Sequence, residues 1–531
     1  MKMDPEKMIN ALFMSVPYPG EEKFEGQPTG LLYALSVLTE RKLKKYGDRN
    51  AVKNELEVWC PSGIPNRNDG IPDRESEMFF EKELTDYLKN KKPKIVGLST
   101  FSISYQNAIK IRNLVKKISP KTIVLLGGAN EDNSVKYYRE KGKVDADFVF
   151  AGDAPLLLNE LYKVIEENST ATVEEIKKIV INQKEKFGQL NGAGLILFNT
   201  EAGLKEIASQ SYIEDSKERE SIRLDKLPIM PRFLLKDEDE VSRLFDIFSY
   251  GSSGNKKTAQ VMIGQGCHYG CGFCSEGIKK VWYDKDGPRS INSVRDLSHV
   301  EREFQELKEQ EYEAIFFDDS TFFAKSNQYM KELIKLIKKY EFEWGCQTTL
   351  GSIHYMKDLL PQMRKSGLSY VYIGLEHFDE KIRDSFGKDI GGGNKFDDYS
   401  IEDTLALLKQ NRIRVGISLT FGHPHPFSPT EETIETKKTA KYVMDRTAEL
   451  IKRFRNIVGV SLNLVSYHPG TPNSERYENK VGSIDYTATP NKMEPYTVFE
   501  EGIGLHAKGM TDELASFILS YAKEKLGDML F

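Results

Sequence analysis

Three of the five cysteines in this 531-residue chain fall in one stretch, Gly266-Cys267-His268-Tyr269-Gly270-Cys271-Gly272-Phe273-Cys274-Ser275. No other feature constrains the fold as much. Thiolates are soft metal ligands, and C-x3-C-x2-C spacing lets one loop hold one centre from three points. Gly266, Gly270 and Gly272 let the backbone turn tightly around it. Ala259–Ile263 just ahead reads as a buried strand. A metal-gripping loop at the C-terminal end of a strand is an α/β arrangement, the class that gathers its chemistry on that side of the sheet.

Spacing alone leaves three readings open. One is a [4Fe-4S] cluster with three irons held by thiolates and the fourth open. Another is a zinc knuckle with Cys346 or His268 as fourth ligand, and the third is a disulfide. Zinc sites more often use paired C-x2-C arms, which favours the cluster. Five cysteines, three of them clustered, make no disulfide framework and suit a reducing, cytoplasmic setting.

The length predicts two domains or three. Net charge is −5 with 29% charged residues, so no strongly basic domain points to nucleic acid. No apolar run reaches the ~18 residues of a membrane span, and the charged start has no apolar segment of a secretory leader behind it. A soluble protein without a membrane partner is expected.

Along the first 165 residues, apolar runs alternate with helical segments, the pattern of a doubly wound sheet. Strands are expected at Asn10–Val16, Leu56–Trp59, Lys94–Thr100, Thr122–Leu126 and Asp147–Phe150, with a helix over Tyr105–Ile118. A Rossmann-like unit of this kind binds cofactors above the C-terminal strand ends. There the loops Pro17–Gly20, Thr100–Tyr105 and Gly127–Asn130 converge. Residues 166–255 read as a charged linker region. From 256 to 475, six strand–helix repeats predict a partial parallel barrel, and 476–531 a C-terminal cap with a helix over Thr511–Leu526.

The cysteine stretch, with its aromatic before the last Cys, resembles the signature of the radical S-adenosylmethionine (SAM) superfamily. Flanking segments resemble the same core. Pro288-Arg289-Ser290 matches an R-x-S step, Asp318-Asp319 an acidic position after strand two, and Gly374-Leu375-Glu376-His377 a G-x-E-S motif. Tyr467-His468-Pro469-Gly470-Thr471-Pro472 matches a P-G-T-P ending of strand six. His377 replaces the family serine, and His425-Pro426 replaces a Gly-Glu. The resemblance implies that Cys267, Cys271 and Cys274 ligate a [4Fe-4S] cluster whose open iron takes SAM. It also implies that Phe273, Asp319, Gln347, Glu376 and Ser418 line the SAM site, Asp319 toward its amino group and Glu376 toward its ribose. The alternatives for Asp319 are an N-cap or turn residue. Cys346 reads as a small buried hydrophobe.

The N-terminal loops, and the linker Asp225-Lys226-Leu227-Pro228-Ile229-Met230-Pro231-Arg232, resemble the cobalamin-binding half of a subgroup of these enzymes. That resemblance implies that Ser99, Thr100, Ser102, Gly127 and Gly128 line the lower face of a cobalamin. The alternative is a cofactor-free Rossmann-like domain used for packing. All eight histidines lie at or after His268, so the first domain has no imidazole to offer cobalt.

The implied enzyme is a cobalamin-dependent radical SAM methyltransferase acting on an unactivated carbon of a small molecule or peptide. An external one-electron reductant of the flavodoxin or ferredoxin type would feed it. A rearrangement, cyclisation or ring contraction is the rival within that group. A methylthiotransferase would need three more N-terminal cysteines, and only Cys60 precedes Cys267. A zinc-stabilised binding module is the rival from another class.

Overall fold

Residues 11–14 are a run of apolar side chains closed by a serine, with no polar alternation, the mark of a strand covered on both faces. In the computed structural model they form β1, Ala11–Ser15, buried throughout. The structure describes residues 10–530 apart from 18, 21–26, 62–63, 66–73, 102–103, 129–130, 132–133, 213–221, 245–255, 268, 270, 275–282, 285–286, 289–293, 324, 380–381, 384–397, 424–432, 466–470, 472 and 474–509. The chain divides into two units, the first essentially Met1–Val241 and the second essentially the remainder.

In the first unit β1 pairs in parallel with β2, Leu56–Trp59, and with β3, Ile95–Ser99. Beyond β3 follow β4, Ile123–Gly127, and β5, Phe148–Gly152, also parallel. Around this sheet lie α1, Thr29–Tyr46, α2, Tyr105–Ile118, and α3, Pro155–Glu167. All five expected strands form, each burying most of its apolar side chains, although in β2 a half-buried Glu57 interrupts the run.

The segment expected as a linker instead completes this unit. It supplies α4, Val173–Asn182, opened by a Thr172/Glu175 capping box. It also supplies β6, Gly194–Thr200, and β7, Gly203–Ala208, both antiparallel, which extend the sheet to seven strands. β7 is a charged and mostly exposed edge strand. That polarity protects an edge from aggregation and makes it look like a linker in sequence.

The second unit is built of β8, Thr258–Val261, β9, Ala314–Phe317, β10, Glu343–Thr348, β11, Leu368–Glu376, β12, Arg414–Phe421, and β13, Ile457–Leu464. They pair in chain order and all in parallel, the wall of a partial (β/α)6 barrel. Helices α5, Leu297–Glu309, α6, Asn327–Tyr340, α7, Asp398–Gln410, and α8, Lys437–Arg453, fill the crossovers with two short helices over 350–365. The main core lies between strands and helices and includes Val261, Phe317, Trp344, Cys346 and Val371.

The opposite face of the same strands looks into the barrel, since side chains alternate. Its lower layers are filled. Glu343 pairs with Lys256, and with Arg414 at 3.4 Å. Above them Ala314, Phe316 and Tyr370 form a small cluster with Tyr372 and Val458. Gly416 makes room for it: a Cβ there would lie 2.1 Å from the Tyr370 hydroxyl. Of the segment expected as a cap, the described part begins at Met510. Helix α9, Asp512–Leu526, packs on α8, and its Leu514, Ala515 and Ile518 join the core of the helical layer.

Candidate functional site

The C-terminal ends of β8 to β13 carry the second unit's polar residues. After β8 the chain turns into the cysteine loop. Cys271 is buried, and Cys267 and Cys274 are half-buried. The Cys274 N–H donates to the Cys271 carbonyl at 3.1 Å, closing a tight turn between the last two cysteines. Cys267 Sγ lies 3.2 Å from Thr321 Oγ1, at the end of β9. Asn473, just past the P-G-T-P segment, donates its N–H to the Gly272 carbonyl at 2.9 Å. A Cβ on Gly272 would meet Asn473 Oδ1 at 2.5 Å, so any other residue there must push the Asn473 side chain or the loop aside. Phe273 stands edge-on to His423, ring centroids 5.4 Å apart.

Cys346 belongs elsewhere. It is fully buried in the strand–helix core, on the face of β10 opposite Gln347. Burial, with Asp319 nearby, pushes its thiol well above the ordinary range and keeps it protonated. A zinc knuckle completed by Cys346 does not fit this placement. His268, the other zinc candidate, lies outside the described residues.

The two aspartates after β9 part company. Gln347 Nε2 donates to Asp318 Oδ1 at 3.1 Å, and Gln260 Nε2 to Asp318 Oδ2 at 3.5 Å. The three form a polar patch across β8, β9 and β10 on the barrel's inner face. Asp319 accepts from the Ile263 N–H at 3.0 Å and pairs with Lys325 at 3.1 Å, both side chains buried. Its carboxylate is thus occupied in anchoring the chain just before the cysteine loop. Asp319 is the carboxylate that the family resemblance points to at the SAM amino group. Asp318 joins Gln260 and Gln347 on the inner face only through the pairing of three strands, which the sequence does not display.

Across the barrel, Glu376 ends β11. Its carboxylate Oε2 accepts from Thr420 Oγ1, and from Ser418 Oγ at 3.4 Å. Asn463 Nδ2 on β13 donates to Ser418 Oγ at 3.0 Å. The register explains the grouping, for Ser418 pairs with Ser461 and Thr420 with Asn463. The structure therefore brings Glu376 and Ser418 together and adds Thr420 and Asn463. Arg289 and Ser290 of the Pro288-Arg289-Ser290 segment, and His425-Pro426, lie outside the described residues.

In the first unit the expected rim also converges. Ser99 pairs with Gly127, the Thr100 N–H donates to the Gly127 carbonyl at 2.8 Å, and the Val16 N–H to the Ser99 carbonyl at 3.0 Å. Gly128 has φ 125°, and a Cβ there would meet the Thr100 carbonyl at 2.4 Å, so only glycine suits. The Thr100 hydroxyl is buried against the buried carboxylate of Glu131, a residue the sequence did not single out. Ser102 lies outside the described residues.

The family model for the radical SAM superfamily matches residues 261–437. The chain carries a radical SAM domain. The cysteine loop, the Asp318 patch and the Glu376 group all fall in or beside that segment. In fold the chain is similar to the radical SAM methyltransferase TsrM from Kitasatospora setae, in a structure with cobalamin and a [4Fe-4S] cluster bound. The TM-score is 0.54 at 16% identity, over 88% of this chain and 74% of that one. It is also similar to the cobalamin-dependent radical SAM enzyme OxsB, with TM-score 0.51 at 13% identity, over 90% of this chain and 63% of that one. Among curated proteins it is 28% identical, over 194 residues, to the anaerobic magnesium-protoporphyrin IX monomethyl ester cyclase of Rubrivivax gelatinosus. That match spans 35% of this chain and 31% of the cyclase. No described helix is long and apolar enough to cross a membrane.

Proposed function

We propose that this chain is a cobalamin-dependent radical SAM enzyme that transfers a methyl group from SAM to an unactivated carbon of a small-molecule or peptide substrate. The observation that supports it most is one of placement. A three-cysteine loop, a carboxylate–amide patch and a carboxylate–hydroxyl group stand at the C-terminal ends of strands in one barrel. A cluster suits the donors, since three thiols on one glycine-rich loop leave a cuboidal cluster one open iron. Cys267, Cys271 and Cys274 would hold it, and a reduced cluster with SAM supplies an adenosyl radical. Asp318, with Gln347 and Gln260, presents negative charge and amide dipoles suited to an ammonium group. Glu376 accepts hydrogen bonds and suits a ribose diol. The filled lower barrel closes the site from below. In the first unit, Ser99, Thr100, Gly127 and Gly128 would meet a cobalamin, which supplies the methyl carrier. The first 255 residues contain no histidine, so a cobalamin held here would receive no imidazole from this domain.

Anaerobic reconstitution tests the reading. Expected are about four irons and four sulfides per chain by cluster stoichiometry, reductive SAM cleavage, and loss of both in Cys271→Ser. Label from methyl-SAM should appear in the product. Cleavage without methyl transfer would favour a cyclisation, the reaction class named for the Rubrivivax relative, and zinc without labile sulfide would overturn the proposal. A flavodoxin- or ferredoxin-type donor and a cytoplasmic setting go with this reading.

A further inference from the structure

The backbone at Glu376 is strained. Its φ is 63°, a left-handed conformation that L-residues with a Cβ rarely adopt. The His377 N–H donates to the Leu375 carbonyl at 2.8 Å across it, closing a γ-turn of the rare hand. The ladder to β12 slips a residue between Gly374 and Glu376. Such a turn persists only where its surroundings over-determine it.

Those surroundings centre on His377, where the family pattern has serine. Buried Arg383 donates from Nη1 to the carbonyls of His377 at 2.7 Å and Phe378 at 2.9 Å. The Asp379 N–H donates to His377 Nδ1 at 2.9 Å. With Nδ1 accepting, the neutral ring carries its proton on Nε2. Nε2 faces Glu435 Oε1 at 4.0 Å, both side chains buried and neither atom hydrogen-bonded among the described residues. Glu435 is itself fixed. Thr439 Oγ1 donates to its Oε2 at 3.0 Å, its N–H donates to Thr433 Oγ1 at 3.1 Å, and the capping box of α8 begins at the next residue. A buried donor and acceptor aimed at each other are costly to keep unless the pairing has a use. A serine at 377 is too short to reach Glu435.

We propose that His377 and Glu435 are positioning residues for Glu376, holding it in its strained turn so that its carboxylate meets the vicinal diol of a bound nucleoside. The inference rests on Glu376 as the group that binds the SAM ribose.

The test is SAM affinity of the full-length, anaerobically reconstituted protein, measured by equilibrium dialysis, with iron content and melting temperature followed in parallel. Glu376→Gln and His377→Ser should each weaken SAM binding about tenfold, and in the double variant the losses should not multiply, as for coupled residues. Iron content should stay at the wild-type level. His377→Asn keeps an acceptor for the Asp379 N–H and should recover part of the loss. If His377→Ser does not accumulate, Glu435→Gln, which keeps the shape and removes the charge, should still weaken SAM binding about threefold by the same coupling. If Glu376→Gln binds SAM like wild type, the ribose assignment falls and this inference with it. If Glu376→Gln is weakened while His377 and Glu435 variants bind normally, or if the losses multiply, the positioning role alone is overturned.

Discussion

Gln347 donates to Asp318 at 3.1 Å across neighbouring strands, inside the barrel, while the next residue, Asp319, pairs with Lys325 behind the cysteine loop. Two adjacent carboxylates therefore have separable tasks. Asp318→Asn keeps the shape and one hydrogen bond but removes the charge offered to an ammonium group. It should weaken SAM binding by about 10- to 100-fold, the worth of a hydrogen bond to a charged group, with the melting temperature unchanged. Asp319→Asn leaves Lys325 buried without its counter-charge and should cost about 3–5 kcal/mol of stability, read as a lowered urea midpoint. Equal effects of the two on SAM affinity would contradict the division.

Gly272 and Asn473 form a second contact of this kind. A methyl group on Gly272 would press on Asn473 Oδ1 at 2.5 Å, so Gly272→Ala must displace the loop or the side chain. Overpacking costs about 1–3 kcal/mol. Here it should appear as iron retained at less than half of wild type after desalting. Adding Asn473→Ala opens the space and should restore part of the iron. A single variant that holds iron normally would show that the contact does not set the loop.

Much of this site is legible in sequence because its parts are periodic or covalently close. Apolar runs without alternation mark Ala11–Ser15 and Ile123–Gly127 as covered strands, and three cysteines within eight residues mark their own loop. What sequence hides is what depends on tertiary neighbours. Asp318 and Asp319 are chemically identical, and only the end of β9 decides which faces the barrel. β7 looks like a linker because an edge strand's charges serve solubility. His377 and Glu435 lie on different crossovers, and nothing local announces their meeting.

The first unit offers a stability prediction independent of any cofactor. Lys42 of α1 is fully buried and bonds to Glu55 and Glu166, each at 2.5 Å. Lys42→Met leaves the buried Glu55 carboxylate with the Tyr46 hydroxyl but no counter-charge, while Glu166 keeps Arg41 at 2.7 Å, and should cost about 3–5 kcal/mol, roughly 10 °C in the melting of this unit. Replacing Glu55 and Glu166 by leucine in the same chain should return most of it, since a packed apolar trio substitutes for a buried ion cluster. Failure of the triple variant to recover would mean that the charges also fix the packing of α1.

The His377–Glu435 pair makes an unusual pH dependence. Burial holds the His377 ring down at about 4, with Arg383 adding to this and Asp379 opposing it. Burial pushes the Glu435 carboxyl up to about 7, against the Thr439 hydrogen bond. The unfolded chain takes up a proton on this histidine below about 6.5, and the native protein does so only near 4. The histidine alone thus makes stability fall as pH drops from 6.5 to 4. The unfolded chain ionises the glutamate above about 4.5, and the native protein only near 7. The glutamate alone makes stability fall as pH rises from 4.5 to 7. In the wild type the two slopes oppose each other over the shared window and nearly cancel. Each single variant should expose the other slope, about 3 kcal/mol deep. Glu435→Gln should lose urea resistance toward pH 4, and His377→Asn should lose it toward pH 7. Parallel curves for the two variants would mean that the groups do not titrate as a buried, facing pair.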